Sequence, residues 1–126
     1  MDLKKNILII DDEVIILHSL KIQLERGLTD SHYIEAASSG EEAIELINEM
    51  HEKKLPLYMV ISDYNLDDMK GTQVLKHALD LFPDVKKVII SGQLDEDDIR
   101  NFDSNYGLDL RLGKPWDIYE LLEKIK

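Results

Sequence analysis

The stretch "VISDYNLDDMKG", residues 60–71, decides how this sequence folds. A run of apolar residues ends at Asp63, and the following residues lose the pattern of a strand while they keep apolar side chains at Leu66 and Met69. A buried strand that ends on a carboxylate brings that carboxylate to one edge of a sheet. The stretch therefore predicts that position 63 has a chemical role at that edge.

Short apolar runs alternate along the whole chain with longer segments of helical period, a pattern typical of βαβ units and a parallel sheet. Three runs are apolar at nearly every position, as expected where helices cover both faces of a sheet. The predicted strands are Ile7–Ile10, His32–Ala36, Tyr58–Ser62, Lys87–Ile90 and Asp109–Leu112. Helices are predicted after the first, second, third and fifth strands, and a thinner helical pattern covers Leu94–Tyr106. The predicted fold is an α/β three-layer (βα)5 sandwich.

Composition limits the possible functions. The chain has 126 residues, with 15 Lys and Arg against 26 Asp and Glu and a net charge of −11. Direct binding to nucleic acid is not expected, because phosphate contacts need a concentrated basic face. The chain has no cysteine, which excludes disulfides and fits a cytoplasmic protein. The first apolar run is short and ends in two aspartates, so we expect neither a signal peptide nor a membrane span.

Polar residues follow four of the predicted strands: Asp11 and Asp12 the first, Asp63 the third, Ser91 the fourth and Lys114 the fifth. Ligands of open parallel sheets bind beyond the carboxyl ends of the strands, where these residues would meet. Three aspartates this close repel one another, which raises the pKa of at least one unless a cation compensates. Oxygen donors suit Mg²⁺, whereas zinc prefers histidine or cysteine.

A carboxylate beside Mg²⁺ can attack a phosphoryl group, while the cation, a lysine and a hydroxyl neutralise charge on the phosphoryl oxygens. Each residue also has a structural explanation. Asp12 is in place to cap a helix, Ser91 to close a turn, and Lys114 to be a solvated loop lysine. Together the groups favour phosphoryl transfer.

The chain resembles the receiver domains of two-component response regulators over essentially its whole length. Four stretches carry the resemblance, in family order and spacing: "ILIIDDE" (7–13), "VISDYNLDDMKG" (60–71), "VIISG" (88–92) and "GKPW" (113–116). The resemblance implies a flavodoxin-like parallel sheet in the strand order 2-1-3-4-5. It also implies a single receiver domain over residues 1–126, without an output domain, that signals and does not turn over an external substrate.

The resemblance implies that Asp63 is the phosphoacceptor, phosphorylated by a sensor histidine kinase. Asp12 would bind Mg²⁺ directly and Asp11 largely through water. The backbone carbonyl of Asn65 would be a further ligand.

Ser91 would donate its hydroxyl to the phosphoryl group, and Lys114 would pair with a phosphoryl oxygen. The resemblance also implies a cis peptide bond between Lys114 and Pro115, and it places Gly71 where the family has a glycine. Asn65 and Gln93 occupy the two positions that tune how fast water removes the phosphoryl group, and the amide of Gln93 would orient that water.

The sequence departs from the family pattern at two positions. Asp67 stands where the family usually has proline, which predicts a more mobile and more acidic loop. Arg111 stands where the family commonly has Tyr or Phe, so switching by an aromatic side chain is not expected. We hypothesise that Arg111 instead moves toward an acid of the Leu94–Asp98 segment or toward a partner.

The implied partners are a sensor histidine kinase and a downstream protein effector or output domain. The family's usual signalling face, on the fourth helix, fifth strand and fifth helix, would include Ile99, Phe102, Tyr106, Arg111, Trp116 and Tyr119. A stand-alone receiver and a piece of a longer regulator or hybrid kinase both fit the sequence. A monomer and a phosphorylation-dependent dimer also both stay open.

Three other functions share some of these sequence features. A receiver-like scaffold that binds a partner without phosphorylation would carry the same groups. A small Mg²⁺-dependent phosphatase needs a second aspartate as general acid where Asn65 stands. Nucleotide binding is not favoured, because "GKP" (113–115) lacks the surrounding residues of a phosphate-binding loop.

Overall fold

The computed structural model describes residues 5–28, 31–93 and 96–126. Strands and helices alternate along these residues as β1 (Lys5–Ile10), α1 (Val14–Leu28), β2 (His32–Ala37), α2 (Gly40–Glu52), β3 (Leu57–Asp63), α3 (Gly71–Leu81), β4 (Lys86–Ser91), α4 (Asp97–Tyr106), β5 (Leu110–Gly113) and α5 (Ile118–Ile125). The strands pair in parallel in the order β2-β1-β3-β4-β5. The predicted α/β sandwich and its strand order are confirmed.

Hydrophobic side chains fill both sides of the sheet. Successive residues of a strand point to opposite faces, and β1 divides accordingly: Leu8 and Ile10 join the cluster formed with α2, α3 and α4, whereas Ile7 and Ile9 join the cluster formed with α1 and α5. All four residues are buried. This burial explains why the central strands are apolar at nearly every position.

Polar side chains mark where two of the helices begin. Ser39 Oγ accepts a hydrogen bond of 3.0 Å from the Glu42 N–H at the start of α2. The Asp117 carboxylate accepts one of 2.9 Å from the Tyr119 N–H at the start of α5. Such caps satisfy backbone donors that the first turn of a helix leaves unpaired.

No helix in the described ranges is both long and apolar enough to cross a membrane.

The strand ends differ from the predicted ones by one residue at several places. β3 extends through Asp63 and β4 through Ser91, because Asp63 pairs with Ile90 and Ser91 with Gly113. β5 begins at Leu110, one residue later than predicted. The residue before it, Asp109, uses its carboxylate to accept the Lys87 N–H at 2.8 Å.

The fourth helix corrects part of the predicted signalling face. α4 begins at Asp97, and Leu94 and Asp95 of the predicted segment lie outside the described residues. Ile99 and Phe102 are buried in the core. They form the apolar stripe by which α4 packs on the sheet, so neither presents a surface to a partner.

The other predicted residues of that face lie at or near the surface. Tyr106, Arg111 and Tyr119 are exposed. Trp116 is partly buried against the core, and its indole N–H donates to Gln23 Oε1 at 2.8 Å. The exposed candidates are therefore Tyr106, Arg111 and Tyr119.

Candidate functional site

Strand pairing brings the predicted site residues to one edge of the sheet. Asp63 closes β3 and pairs with Ile90, the residue before Ser91. Ser91 pairs with Gly113, the residue before Lys114. The chain leaves β1 at the same edge, directly before Asp11 and Asp12.

The three aspartates Asp11, Asp12 and Asp63 form a compact group. Each offers a carboxylate oxygen, and these oxygens lie within 4.8 Å of one another. In a magnesium octahedron, neighbouring ligand oxygens lie about 3 Å apart and opposite ones about 4 Å apart. The separations and the all-oxygen donor set therefore fit one divalent cation. Elsewhere in the described ranges no further group of acidic, histidine or cysteine ligands is this compact.

Burial sets the charge balance of this group. Asp11 and Asp63 are only 3% and 6% exposed, and burial raises the pKa of both carboxyls. Lys114 opposes this effect, because its Nζ lies 3.0 Å from Asp63 Oδ1 and 3.6 Å from Asp11 Oδ2. Burial by itself would lower the pKa of Lys114, but the hydrogen bond and charge of Asp63 outweigh it and the pKa is raised. The lysine thus stays protonated beside the acids.

The peptide bond between Lys114 and Pro115 is cis, as the resemblance implied. It lies in the connection between β5 and α5.

Asp12 is held by the loop that follows β3. Its Oδ2 accepts a hydrogen bond of 2.8 Å from the backbone N–H of Asp67. The N–H of Glu13, just before α1, donates to Asp11 Oδ1 at 2.9 Å and not to Asp12, which the sequence offered as a cap. The charge of Asp12 and a hydrogen bond between the two carboxyl groups raise the pKa of Asp67. Positions 12 and 67 are therefore in direct contact.

The next two residues attach the same loop to α2. Asp68 Oδ1 accepts the Gly40 N–H at 3.0 Å, and Oδ2 accepts the Glu41 N–H at 2.9 Å. These bonds lower the pKa of the Asp68 carboxyl, because they stabilise its ionised form. The Met69 side chain occupies the space where a Cβ at Gly40 would lie. These contacts were not predicted from the sequence, since their partners are 27 and 28 residues away.

Gly71 is required by the close approach of α3 to the end of β3. Its N–H donates to the Tyr64 carbonyl at 2.7 Å. A Cβ at this position would overlap the Asp63 carbonyl oxygen and lie 2.9 Å from Ser62 Oγ. Only a residue without a side chain lets the backbone pass here.

Ser91 is buried, and its hydroxyl closes a local turn. The Oγ accepts the Gln93 N–H at 3.0 Å and donates to the Gln93 carbonyl at 3.2 Å. Ser91 therefore closes a local turn, which was the structural explanation for this residue in the sequence. A role in binding a phosphoryl group requires the hydroxyl to leave the Gln93 carbonyl.

Asn65 follows Asp63 by two residues and pairs with Lys70 across the loop. The two residues form an antiparallel backbone bridge. Lys70 Nζ donates to Asn65 Oδ1 at 2.7 Å. Because an ammonium only donates, this contact identifies the oxygen of the Asn65 amide.

Arg111 pairs with Asp103 of α4, a contact that was not predicted from the sequence. Its Nη1 lies 3.9 Å from Asp103 Oδ2. Asp103 Oδ1 accepts the Leu108 N–H at 2.7 Å after the end of α4. The hypothesised move toward residues 94–98 stays a prediction, and its starting point is this ion pair.

Tyr64 links the end of β3 to both α3 and α4, which the sequence did not reveal. Its hydroxyl donates to Asp98 Oδ2 at 3.1 Å, and Thr72 Oγ1 donates to the same oxygen at 2.6 Å. Burial and the Asp98 carboxylate raise the pKa of Tyr64 to about 12. In the sequence, Tyr64 directly follows the apolar run that ends at Asp63, and nothing local indicates its partners.

The carboxyl edge of the parallel sheet thus gathers three aspartates and a lysine. Residues 7–126 match the family model of the response regulator receiver domain, and the chain belongs to this family. It is therefore a receiver domain of the two-component type.

Known relatives agree with this classification. The hydrogenase transcriptional regulatory protein HoxA of Cupriavidus necator is 24% identical over 125 residues, which cover 99% of this chain and 24% of that protein. The chain thus spans about a quarter of the length of this curated relative. A CheY-like receiver domain protein of Methanospirillum hungatei is 32% identical with a TM-score of 0.80, covering 98% of this chain and 91% of that one.

A response regulator of Burkholderia pseudomallei shares the fold. Its structure contains a phosphorylated aspartic acid, a calcium ion and citrate. The two proteins are 23% identical with a TM-score of 0.78, and the alignment covers 98% of this chain and 67% of that one.

Proposed function

We propose that Asp63 accepts a phosphoryl group from the phosphohistidine of a sensor histidine kinase. The observation that carries the proposal is the position of Asp63: it is buried at the end of β3, 3.0 Å from the Lys114 ammonium and grouped with Asp11 and Asp12. The phosphorylated aspartic acid in the Burkholderia relative supports the same chemistry.

In the transfer, an Asp63 carboxylate oxygen forms a bond to phosphorus while the bond from phosphorus to the donor imidazole nitrogen breaks. The electron pair of that bond stays on the imidazole. Lys114 keeps its proton, since its pKa is raised, and pairs with a phosphoryl oxygen. Ser91 leaves the Gln93 carbonyl and donates its hydroxyl to another phosphoryl oxygen, which shifts the loop after β4.

The same acids are proposed to hold Mg²⁺. Asp12, Asp63 and the Asn65 carbonyl would be direct ligands, and Asp11 would bind largely through water. The cation would neutralise charge on the transferring phosphoryl group. The Burkholderia relative contains calcium, which also takes oxygen ligands. Mg²⁺ is favoured because it keeps several waters and needs few protein carboxylates.

Phosphorylation would then change the binding of a partner protein. We propose that residues 1–126 act as one receiver domain in the cytoplasm. The domain would receive the phosphoryl group from a sensor kinase and would then act on an effector or output domain. Tyr106, Arg111 and Tyr119 are exposed and available to the effector. The domain would not turn over an external substrate.

Phosphorylation with acetyl phosphate and Mg²⁺, followed by intact mass measurement, tests the proposal. The wild type should gain one phosphoryl mass, and Asp63→Asn should gain none. Asp80→Asn is the matched control, because Asp80 is an exposed aspartate on α3 that pairs with Lys76, and it should label as the wild type does. A wild type without added mass would favour the phosphorylation-independent scaffold.

A further inference from the structure

We infer that the backbone N–H of Asp67 is a positioning donor for the metal ligand Asp12, and that Asp68 holds this donor in place by anchoring the loop to α2. The inference rests on the proposed Mg²⁺ site. It assigns a role to a loop in which the family's usual proline is absent.

The contact between Asp67 and Asp12 fixes one oxygen of the ligand. Asp12 Oδ2 accepts the Asp67 N–H at 2.8 Å, so the carboxylate is oriented before a cation arrives. A carboxylate oxygen of Asp12 also lies within 4.8 Å of oxygens of Asp11 and Asp63, where the cation would bind. A proline at position 67 has no N–H and cannot supply this bond.

The anchor lies on the adjacent residue. Both carboxylate oxygens of Asp68 accept N–H groups of α2, from Gly40 at 3.0 Å and Glu41 at 2.9 Å. Two bonds from one planar group fix its direction, and ionised acceptors form the stronger hydrogen bonds. The buried Leu66 side chain fixes the loop on the other side of Asp67. The N–H of Asp67 is thus held between two attached neighbours.

The physical consequence is a ligand that loses less conformational freedom when Mg²⁺ binds. Preorganised groups bind more tightly because the ordering has already occurred. The sequence predicted a more mobile loop because the usual proline is absent. In the structure, hydrogen bonds to Asp12 and to α2 instead hold the loop. Loss of either bond should weaken Mg²⁺ binding.

Isothermal titration of the full chain with Mg²⁺ tests the inference. Asp67→Ala removes the carboxylate but keeps the N–H, and Asp67→Pro removes both. The comparison therefore sets the loss of the N–H against the stiffening by the proline ring, which by itself would favour Mg²⁺ binding. We expect Asp67→Pro to bind Mg²⁺ roughly 3–10 times more weakly than Asp67→Ala, the size expected for a hydrogen bond to a charged group that is partly solvated. Equal or tighter binding by Asp67→Pro would overturn the inference.

Amide exchange in the metal-free protein supplies a second readout that does not depend on phosphorylation. The Asp67 N–H should exchange slowly in the wild type and faster in Asp68→Ala, which lacks the anchor. Circular dichroism should show that each variant keeps its helices. Unchanged exchange in Asp68→Ala would remove the anchoring role. A protein that binds Mg²⁺ as described but takes up no phosphoryl group would contradict the proposed function and leave this inference standing.

Discussion

Lys114 Nζ lies 3.0 Å from Asp63 Oδ1, so an ammonium group balances the buried carboxylate at the end of β3. The balance is partial, because burial still raises the pKa of Asp63. The ionised carboxylate therefore destabilises the metal-free fold. A divalent cation bound by the three aspartates would offset this cost.

Removal of the Asp63 charge should stabilise the metal-free protein. Because the pKa of Asp63 is raised in the folded state, stability increases as the pH falls through that pKa toward the ordinary value of 3.8, and Asp63→Asn should give a similar gain at neutral pH. In EDTA, we expect its Tm to exceed that of the wild type by roughly 2–5 °C. Added Mg²⁺ should raise the Tm of the wild type and have much less effect on the variant. A lower Tm for Asp63→Asn in EDTA would contradict this account of the site.

Gly71→Ala should destabilise the fold by about 1–3 kcal/mol, the usual cost of overpacking. The added Cβ meets the Asp63 carbonyl oxygen, and backbone moves less easily than a side chain. Gly92→Ala is the matched control, because a Cβ there would meet no heavy atom of the described residues within 4 Å apart from its chain neighbours. It should change stability by less than about 0.5 kcal/mol. Urea unfolding measures both, and similar values for the two variants would refute the steric explanation.

His32 should make stability fall at mildly acidic pH. Burial, and then the charge of Lys5, lower its pKa, and its Nε2 is buried without a hydrogen-bond partner in the described residues. As pH falls through the unfolded-state pKa of about 6.5, the unfolded chain takes up a proton that the folded chain resists. Stability is therefore lost from there down to the folded pKa.

The measurement is the free energy of unfolding between about pH 7.5 and pH 5, compared for the wild type and His32→Gln. The variant should lose about 0.5 kcal/mol less over this range, since solvent screens a half-buried group. The comparison cancels the opposite trend from Asp11 and Asp63, whose raised pKa values favour the folded state in acid. Parallel curves for the two proteins would exclude His32 as the cause.

Arg111→Ala should leave stability almost unchanged and alter the response to phosphorylation. The side chain is 44% exposed and lies 3.9 Å from Asp103, and such surface pairs contribute about 0–1 kcal/mol. If Arg111 replaces the aromatic switch, chemical shifts of α4 and β5 should move less on phosphorylation in the variant. An unchanged structural response in Arg111→Ala would end the hypothesis.

Gln93→Ala should change the lifetime of the aspartyl phosphate modestly. The Gln93 backbone already binds the Ser91 hydroxyl, so residue 93 follows directly on the group that is proposed to contact the phosphoryl group. The amide is suited to orient an attacking water. Loss of phosphoryl mass with time measures the half-life, and identical half-lives for wild type and variant would remove this role.

The pattern of the sequence was sufficient to predict the fold class and which residues meet at one edge of the sheet. Apolar runs and helical stripes predicted the alternation of strands and helices, and the parallel sheet then required Asp11, Asp12, Asp63, Ser91 and Lys114 to share an edge. Strand ends were predicted less well. Asp63 and Ser91 belong to their strands because each has a pairing residue on the adjacent strand, Ile90 and Gly113. The length of an adjacent strand cannot be predicted from the sequence of one strand alone.

By itself, the sequence determined the alternation of strands and helices and the acidic edge of a parallel sheet, because periodicity and the residues that follow each strand are local properties of the chain. The strand order came from the resemblance to receiver domains, and the tertiary structure confirmed it. Only the tertiary structure decided that Ile99 and Phe102 are core, that Arg111 meets Asp103, and that Asp67 and Asp68 bind Asp12 and α2. Those outcomes depend on the distance and direction between segments far apart in the chain. A hydrogen bond or ion pair forms only when the distance between its two atoms is correct to within a few tenths of an ångström. The packing of the folded chain sets such distances, and the spacing of residues in the sequence does not predict them.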